Sequence, residues 1–180
     1  MQSRDWAVLL ALPAAAYVTT VHAEDYLTAA EAQKLLFPSA DSFQNVAVTL
    51  TDAQLHEIKS LSGHRQRNPA PQVTRVEKGG QLLGWFIVDD VVGKHEFITY
   101  GTAISPDGHV LGLEIMSYRE SHGGEVRDAD WRHHFAGKTL ADPFRLDVDL
   151  PNITGATLSC RNLLDGVKRL LALYELVLKR

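Results

Sequence analysis

The sequence contains little that supports covalent cross-linking or thiolate metal chemistry. It has one cysteine, Cys160, in 180 residues and no CxxC pair. A single cysteine forms no internal disulfide, so the domain must be stabilised by its hydrophobic core. We predict no cysteine-based metal site. Cys160 is interpreted as an inert structural thiol, although the start of a helix would lower the pKa of such a group.

Concentrated positive charge and the usual nucleotide-binding loops are also missing. The net charge is −4, and only the segment 64–67 gathers basic residues. A nucleic-acid surface needs a larger basic block, so we exclude nucleic acid as a partner. There is no GxGxxG or Walker loop and no GxSxG elbow. Dinucleotide, ATP and serine-hydrolase chemistry therefore lack their usual signs.

Residues 1–23 have the pattern of an export signal. Arg4 precedes the uncharged run 6–18, and Val21-His22-Ala23 fits a small-x-small cleavage site. The apolar run is shorter than the roughly 20 residues that a membrane-spanning helix needs. We therefore predict a signal peptide over 1–23, a mature domain over 24–180 and a periplasmic location. The alternative is a signal that is not cleaved and anchors the protein to the membrane.

The rest of the chain predicts one α+β domain with 45% hydrophobic residues. Thr28 and Thr51 each begin a capping box and predict two N-terminal helices, the first with a buried stripe of Ala32, Leu35 and Leu36. Strands are predicted at 43–50, 72–77, 81–88, 97–104 and 109–116. Their short connections favour an antiparallel sheet. Residues 128–135 predict one or two helical turns, and apolar spacing from Leu158 predicts a long C-terminal helix on the sheet.

The stretch 152–160 has the composition of an anion site. Thr154 and Thr157 flank the small residues Gly155 and Ala156, directly before the last helix. A helix start offers free backbone N–H groups and the positive end of a dipole, which suit a phosphate. We predict Thr154 as the N-cap. The other interpretation is a small-residue helix cap with no ligand.

A second polar stretch, 118–126, follows the last predicted strand. Gly123 and Gly124 permit positive φ and a close approach to a neighbour or ligand. His122, Glu120 and Glu125 are also candidates for a metal site with His133 and His134. Because adjacent helical histidines point about 100° apart, at most one of that pair would face a metal. We therefore predict no metal centre. Asp89, Asp90 and Glu96 are possible acids, but no spacing singles one out.

The four residues 154–157 resemble the S/T-G-A-T signature of the FMN-binding domain family. That family includes a flavin-bearing component of the sodium-pumping NADH–quinone oxidoreductase and many small exported flavoproteins. The resemblance continues over segments 26–43, 84–115, 118–126 and 131–140. One departure is Pro151, which stands where many members carry an Asp; Asp149 and Asn152 lie nearby.

The resemblance implies FMN as the cofactor, joined through its phosphate to Thr157. A Mg²⁺-dependent flavin transferase would attach it outside the cytoplasm, using FAD and releasing AMP. The implied cofactor-binding residues are Thr154, Gly155, Ala156, Thr157, Leu158, Ser159, Glu120, Gly123, Gly124 and Trp131. Trp131 would stack on the flavin ring or, alternatively, pack in the core with Phe135.

The resemblance also implies an electron carrier rather than a stand-alone enzyme, with no catalytic residue of its own. Nothing in the sequence suggests an NAD(P)H fold, so electrons would come from a membrane heme or flavin redox protein. The alternative is a module that binds FMN noncovalently, for sensing. Both alternatives use the same stretch of chain around Thr157.

We expect the exported protein to begin at Glu24, because cleavage should follow Ala23. Intact-mass measurement of protein from the periplasmic fraction checks this. Full-length protein recovered only with membranes would instead identify residues 1–23 as a retained anchor.

Overall fold

The computed structural model describes residues 24–179, so the predicted signal peptide lies outside the described residues. An antiparallel six-stranded sheet with the order β1-β6-β5-β4-β3-β2 forms the centre of the fold. The strands are β1 (Glu24–Asp25), β2 (Ser42–Val46), β3 (Gln72–Lys78), β4 (Gln81–Val92), β5 (Phe97–Ile104) and β6 (Val110–Tyr118). The antiparallel sheet and the α+β class are confirmed.

In the described part of the chain, four α-helices accompany the sheet. They are α1 (Ala29–Leu36), α2 (Asp52–Ser62), α3 (Ala129–His133) and α4 (Thr157–Leu173), with a 3₁₀ turn at Gly124–Arg127 and a π-helical end at Tyr174–Leu178. The long C-terminal helix is thus confirmed. Among residues 24–179, no helix combines the length and apolar character needed to cross a bilayer.

The two N-terminal helices begin where their capping boxes predicted. The hydroxyls of Thr28 and Thr51 each accept from the backbone N–H three residues on. In turn, the side chains of Glu31 and Gln54 accept from the backbone N–H groups of Thr28 and Thr51. The predicted buried stripe of α1 is wrong at one position. Ala32 is fully buried, but Leu35 is 58% exposed because it lies on the side of the helix that faces away from the sheet.

The first predicted strand is also too long. The strand β2 ends at Val46, which pairs with Val73 near the start of β3. Residues beyond Val46 have no strand to pair with, so the chain leaves the sheet. Leu50 instead donates its N–H to the carbonyl of Pro69 (2.8 Å). Its side chain still enters the core, which explains why the apolar alternation continues past the end of the strand.

Helix α4 covers one face of the sheet and contacts β4, β5 and α2. Its buried side includes Leu163, Val167 and Leu170, all fully buried. A polar group lies within this interface: Asp89 accepts from the Tyr100 hydroxyl (2.7 Å) and pairs with Arg169. Burial raises the pKa of Tyr100, so the phenol stays protonated and donates.

The C-terminal ends of two strands lie at one edge of the sheet, and the candidate site is located there. β4 and β6 both pair antiparallel with β5 and so run parallel to each other. Their C-terminal ends, Val92 and Tyr118, therefore lie at the same edge. Helix α4 begins near this edge as well, since the side chain of Asn162 donates to the carbonyl of Val92 (2.5 Å).

We expect Gly166→Ala to destabilise the protein, because a Cβ there would overlap the Tyr100 hydroxyl. Such overpacking costs about 1–3 kcal/mol, which should exceed the gain of roughly 1 kcal/mol in helix propensity. Urea unfolding measures the difference. The penalty should shrink in a Tyr100→Phe background, where the nearest obstructing atom is gone. A variant more stable than wild type would contradict this packing.

Candidate functional site

The start of α4 is a tight turn followed by an open helix end. The N–H of Ala156 donates to the carbonyl of Ile153 (3.0 Å), and Gly155 has a φ of +85°. Ala156 occupies the N-cap position, and no side chain caps this end among the described residues. The helix begins at Thr157. The prediction of Thr154 as the N-cap is therefore wrong, because the turn at Gly155 places Thr154 two residues too early.

Burial divides the signature into an inner and an outer part. Ala156 and Ser159 are buried, whereas Thr154 and Gly155 are exposed. Thr157 is half-buried, and Leu158 beside it is 46% exposed. The first helical hydrogen bond is that from Cys160 N–H to Ala156 O (3.0 Å), so the N–H groups of the preceding residues have no helical acceptor.

The glycine loop packs directly against this helix start. Gly123 has a φ of +83°, and a Cβ at that position would overlap the Cβ of Ala156. The Tyr118 hydroxyl donates to the carbonyl of His122 (2.5 Å) and so fixes the loop from the end of β6. Gly124 has open space around it. The structure therefore brings together the two stretches that the sequence singled out.

A cavity of about 320 Å³ opens between three segments at this edge of the sheet. Gly155 and Ser159 line it from the helix side, and loop residues 120–122 line it from the end of β6. Lys94 and His95, on the turn between β4 and β5, complete the wall. Sequence reasoning missed these two residues. The signal that identifies them is topological, because β4 and β6 end at the same edge.

Glu120 holds that turn in place. Its carboxylate accepts from the N–H groups of His95 (2.5 Å) and Glu96 (3.0 Å). Burial alone would raise the pKa of Glu120, but the backbone hydrogen bonds outweigh it, so the pKa is lowered and the carboxylate is ionised. Its predicted contact with FMN stays a prediction. What the structure shows is an anion that fastens the β4–β5 turn.

Trp131 supports the segment that leads into the signature. Its indole N–H donates to the carbonyl of Pro151 (2.9 Å), and its ring meets Phe135 edge-on at 5.5 Å. Trp131 is only 6% exposed, while it borders an open cavity of about 460 Å³ together with Pro151 and Ile153. Core packing is therefore observed, and stacking on the flavin ring remains a prediction.

The acidic residues before the signature are engaged in local structure. Asp149 pairs with Lys138 (2.7 Å) and accepts from the N–H of Arg145 (2.8 Å). Burial alone would raise the pKa of Asp149. The two hydrogen bonds lower it by more than burial raises it, so the pKa is below its usual value. Asn152 is exposed, and its N–H donates to Asp147 (3.2 Å). Asp149 thus shapes the segment rather than facing the helix start.

The histidine-rich region shows no arrangement of metal ligands. The Nδ1 atom of His134, which follows α3, lies 2.9 Å from the carbonyl of Asp130 in that helix. Within the part of the chain that the structure describes, no group of three or more His, Cys, Asp or Glu residues is close enough to hold a metal ion.

Comparison with known proteins agrees with this geometry. The sequence profile of the FMN-binding domain family matches residues 93–172, which include the β4–β5 turn, the glycine loop and most of α4. This region of the chain is an FMN-binding domain. FMN is accordingly its cofactor, and the open helix start beside a cavity with a lysine fits the phosphate of that group.

Among solved structures, the crystal structure of Shewanella oneidensis NqrC has the same fold. The TM-score is 0.53 at 17% identity, over 77% of this chain and 81% of that chain. None of the curated proteins matches the chain. Family and fold together support a flavin-binding electron-transfer module in general.

A second profile, that of the mitochondrial ATP synthase g subunit, matches residues 7–101. This match ends inside β5. It contains neither the glycine loop nor α4. We base the assignment of residues 93–172 on the first match, because it includes every segment of the site.

We expect Gly123→Ala to cost roughly 2–3 kcal/mol, because left-handed backbone strain adds to the overlap with Ala156. Gly124→Ala is the matched control, since its Cβ would meet nothing within 4 Å. Urea unfolding gives the stability. Amide hydrogen exchange over 154–160 should quicken only in Gly123→Ala. Equal effects of the two substitutions would show that the close approach is unimportant.

Proposed function

We propose that this protein is an extracytoplasmic electron-transfer flavoprotein that carries FMN as a phosphoester on Thr157. The observation that supports this best is the position of Thr157 as the first residue of a helix whose end is uncapped in the described structure. It is half-buried, and the cavity of about 320 Å³ adjoins its turn. A phosphate on its oxygen would meet free N–H groups at once.

The attachment needs only a nucleophilic hydroxyl and room around it. The Thr157 oxygen attacks the FMN-side phosphorus of FAD, the bond from that phosphorus to the oxygen of the AMP phosphate breaks, and AMP leaves. The hydroxyl proton is released. A Mg²⁺-dependent flavin transferase would perform this step. The exposed Thr154 and Gly155 leave the hydroxyl open to such an enzyme.

The bound FMN supplies the redox chemistry, and the chain's own residues position it. Leu158 is 46% exposed beside the attachment point and offers an apolar surface to a ring. The neighbouring small residues leave an edge of the cofactor open to a partner. A membrane heme or flavin protein would supply the electrons. A covalent tether suits the periplasm, because FMN lost there is not readily replaced.

One observation favours a second candidate, noncovalent binding of FMN. Lys94 and Ser159, a residue of the open first turn of α4, line a common cavity and would hold a phosphate without an ester bond. In that case FMN would be lost on denaturation.

We expect wild-type protein coproduced with a flavin transferase to gain the mass of FMN less one water, and to fluoresce as a flavin in a denaturing gel. Thr157→Ala should carry no adduct. Thr157→Ser should carry one, since it keeps the hydroxyl. Thr154→Ala should also be loaded, because that side chain does not cap the helix.

The measurement is intact mass, followed by peptide mapping of the loaded protein. An unmodified wild-type protein would overturn the tether. An adduct that survives Thr157→Ala would place the attachment elsewhere. FMN that copurifies with Thr157→Ala and leaves on denaturation would favour the noncovalent candidate.

A further inference from the structure

We propose that Lys94 and His95 bind the cofactor's phosphate from the side opposite α4, and that Glu120 positions them. This inference rests on the proposed attachment at Thr157. It assigns half of the phosphate site to the β4–β5 turn. The signature would supply the backbone N–H groups, and the turn would supply the Lys94 ammonium and the His95 imidazole.

The turn is built in a way that leaves its side chains available. Gly93 N–H donates to the carbonyl of Glu96 (2.7 Å) and closes the turn. The N–H groups of His95 and Glu96 donate to Glu120. The backbone of the turn is therefore satisfied from within the protein. The side chains of Lys94 and His95 are exposed and line the cavity.

Close packing makes this placement specific. A Cβ at Gly93 would lie 3.1 Å from Cγ of Glu120 and would overlap its carboxylate. The carboxylate therefore approaches the turn as closely as a glycine allows. Because Glu120 follows β6 and the turn follows β4, this contact ties together the two strand ends that flank the cavity.

Charge gives the reason for a cation here. The chain has a net charge of −4, and Glu120 adds an ionised carboxylate to the cavity wall. A helix end contributes only about half a positive charge, whereas a phosphodiester carries a full negative one. In the described structure Lys94 has no ion-pair partner, so its ammonium is available to complete the neutralisation.

The test compares FMN transfer to protein purified without cofactor, after addition of transferase, FAD and Mg²⁺. The variants are Lys94→Gln, Lys94→Arg and the double variant Lys94→Gln/His95→Gln. Lys78→Gln is the matched control for Lys94→Gln. It removes the same charge from an exposed position at the end of β3, away from the β4–β5 turn. The readouts are the initial rate of adduct formation and the rise in Tm on loading.

We expect the double variant to lose roughly fivefold in rate, the size of one exposed charge contact, and most of the rise in Tm on loading. Lys94→Arg should retain both, and Lys78→Gln should equal wild type. A double variant that loads and gains stability like Lys78→Gln overturns the inference while the tether stands. Wild type that takes up no FMN overturns the tether, and the inference with it.

The positioning role of Glu120 is tested by asking whether its effect on the rise in Tm adds to that of the Lys94→Gln/His95→Gln double variant. Glu120→Gln should lower the rise in Tm on loading in wild type, but not in the Lys94→Gln/His95→Gln background, because its effect passes through those two side chains. An equal loss in both backgrounds would show that Glu120 acts on the cofactor, or on folding, by another route.

Discussion

The packing of α4 on the sheet is the constraint on which the rest of the structure depends. Its apolar side is buried against β4 and β5, and Arg169 of the helix pairs with Asp89 of β4. Once the helix is fixed, its first residue, Thr157, must lie at the sheet edge where β4 and β6 end. The glycine loop then closes on that end, because Gly123 admits Ala156 without a side chain between them.

Much of the fold follows from local sequence. The two capping boxes determine where α1 and α2 begin, and the turn residues 79–80 and 105–108 connect β3 to β4 and β5 to β6. These features depend on neighbours in the chain. The errors have long-range causes. Leu35 is exposed because an eight-residue helix shows only one side to the sheet, and residues after Val46 leave the sheet because β3 offers no further partner.

The residues of the candidate site are likewise only partly predictable from the sequence. Thr157, Gly155 and Gly123 stand out because small residues and glycines mark places where a chain or ligand approaches closely. Lys94 and His95 do not stand out, since a charged turn is ordinary on any surface. Only the pairing order of the strands brings them to the signature. Thr154 fails as a cap for a different reason, because the positive φ of Gly155 makes a separate turn before the helix.

The indole of Trp131 donates to the main-chain oxygen of Pro151, so this hydrogen bond does not depend on which side chain is present at position 151. In this chain the approach to the signature is therefore held by a backbone contact, without the acid that the family resemblance leads one to expect at position 151. This changes what defines the motif. A sequence pattern that requires an acidic residue three places before the first threonine would pass over chains like this one.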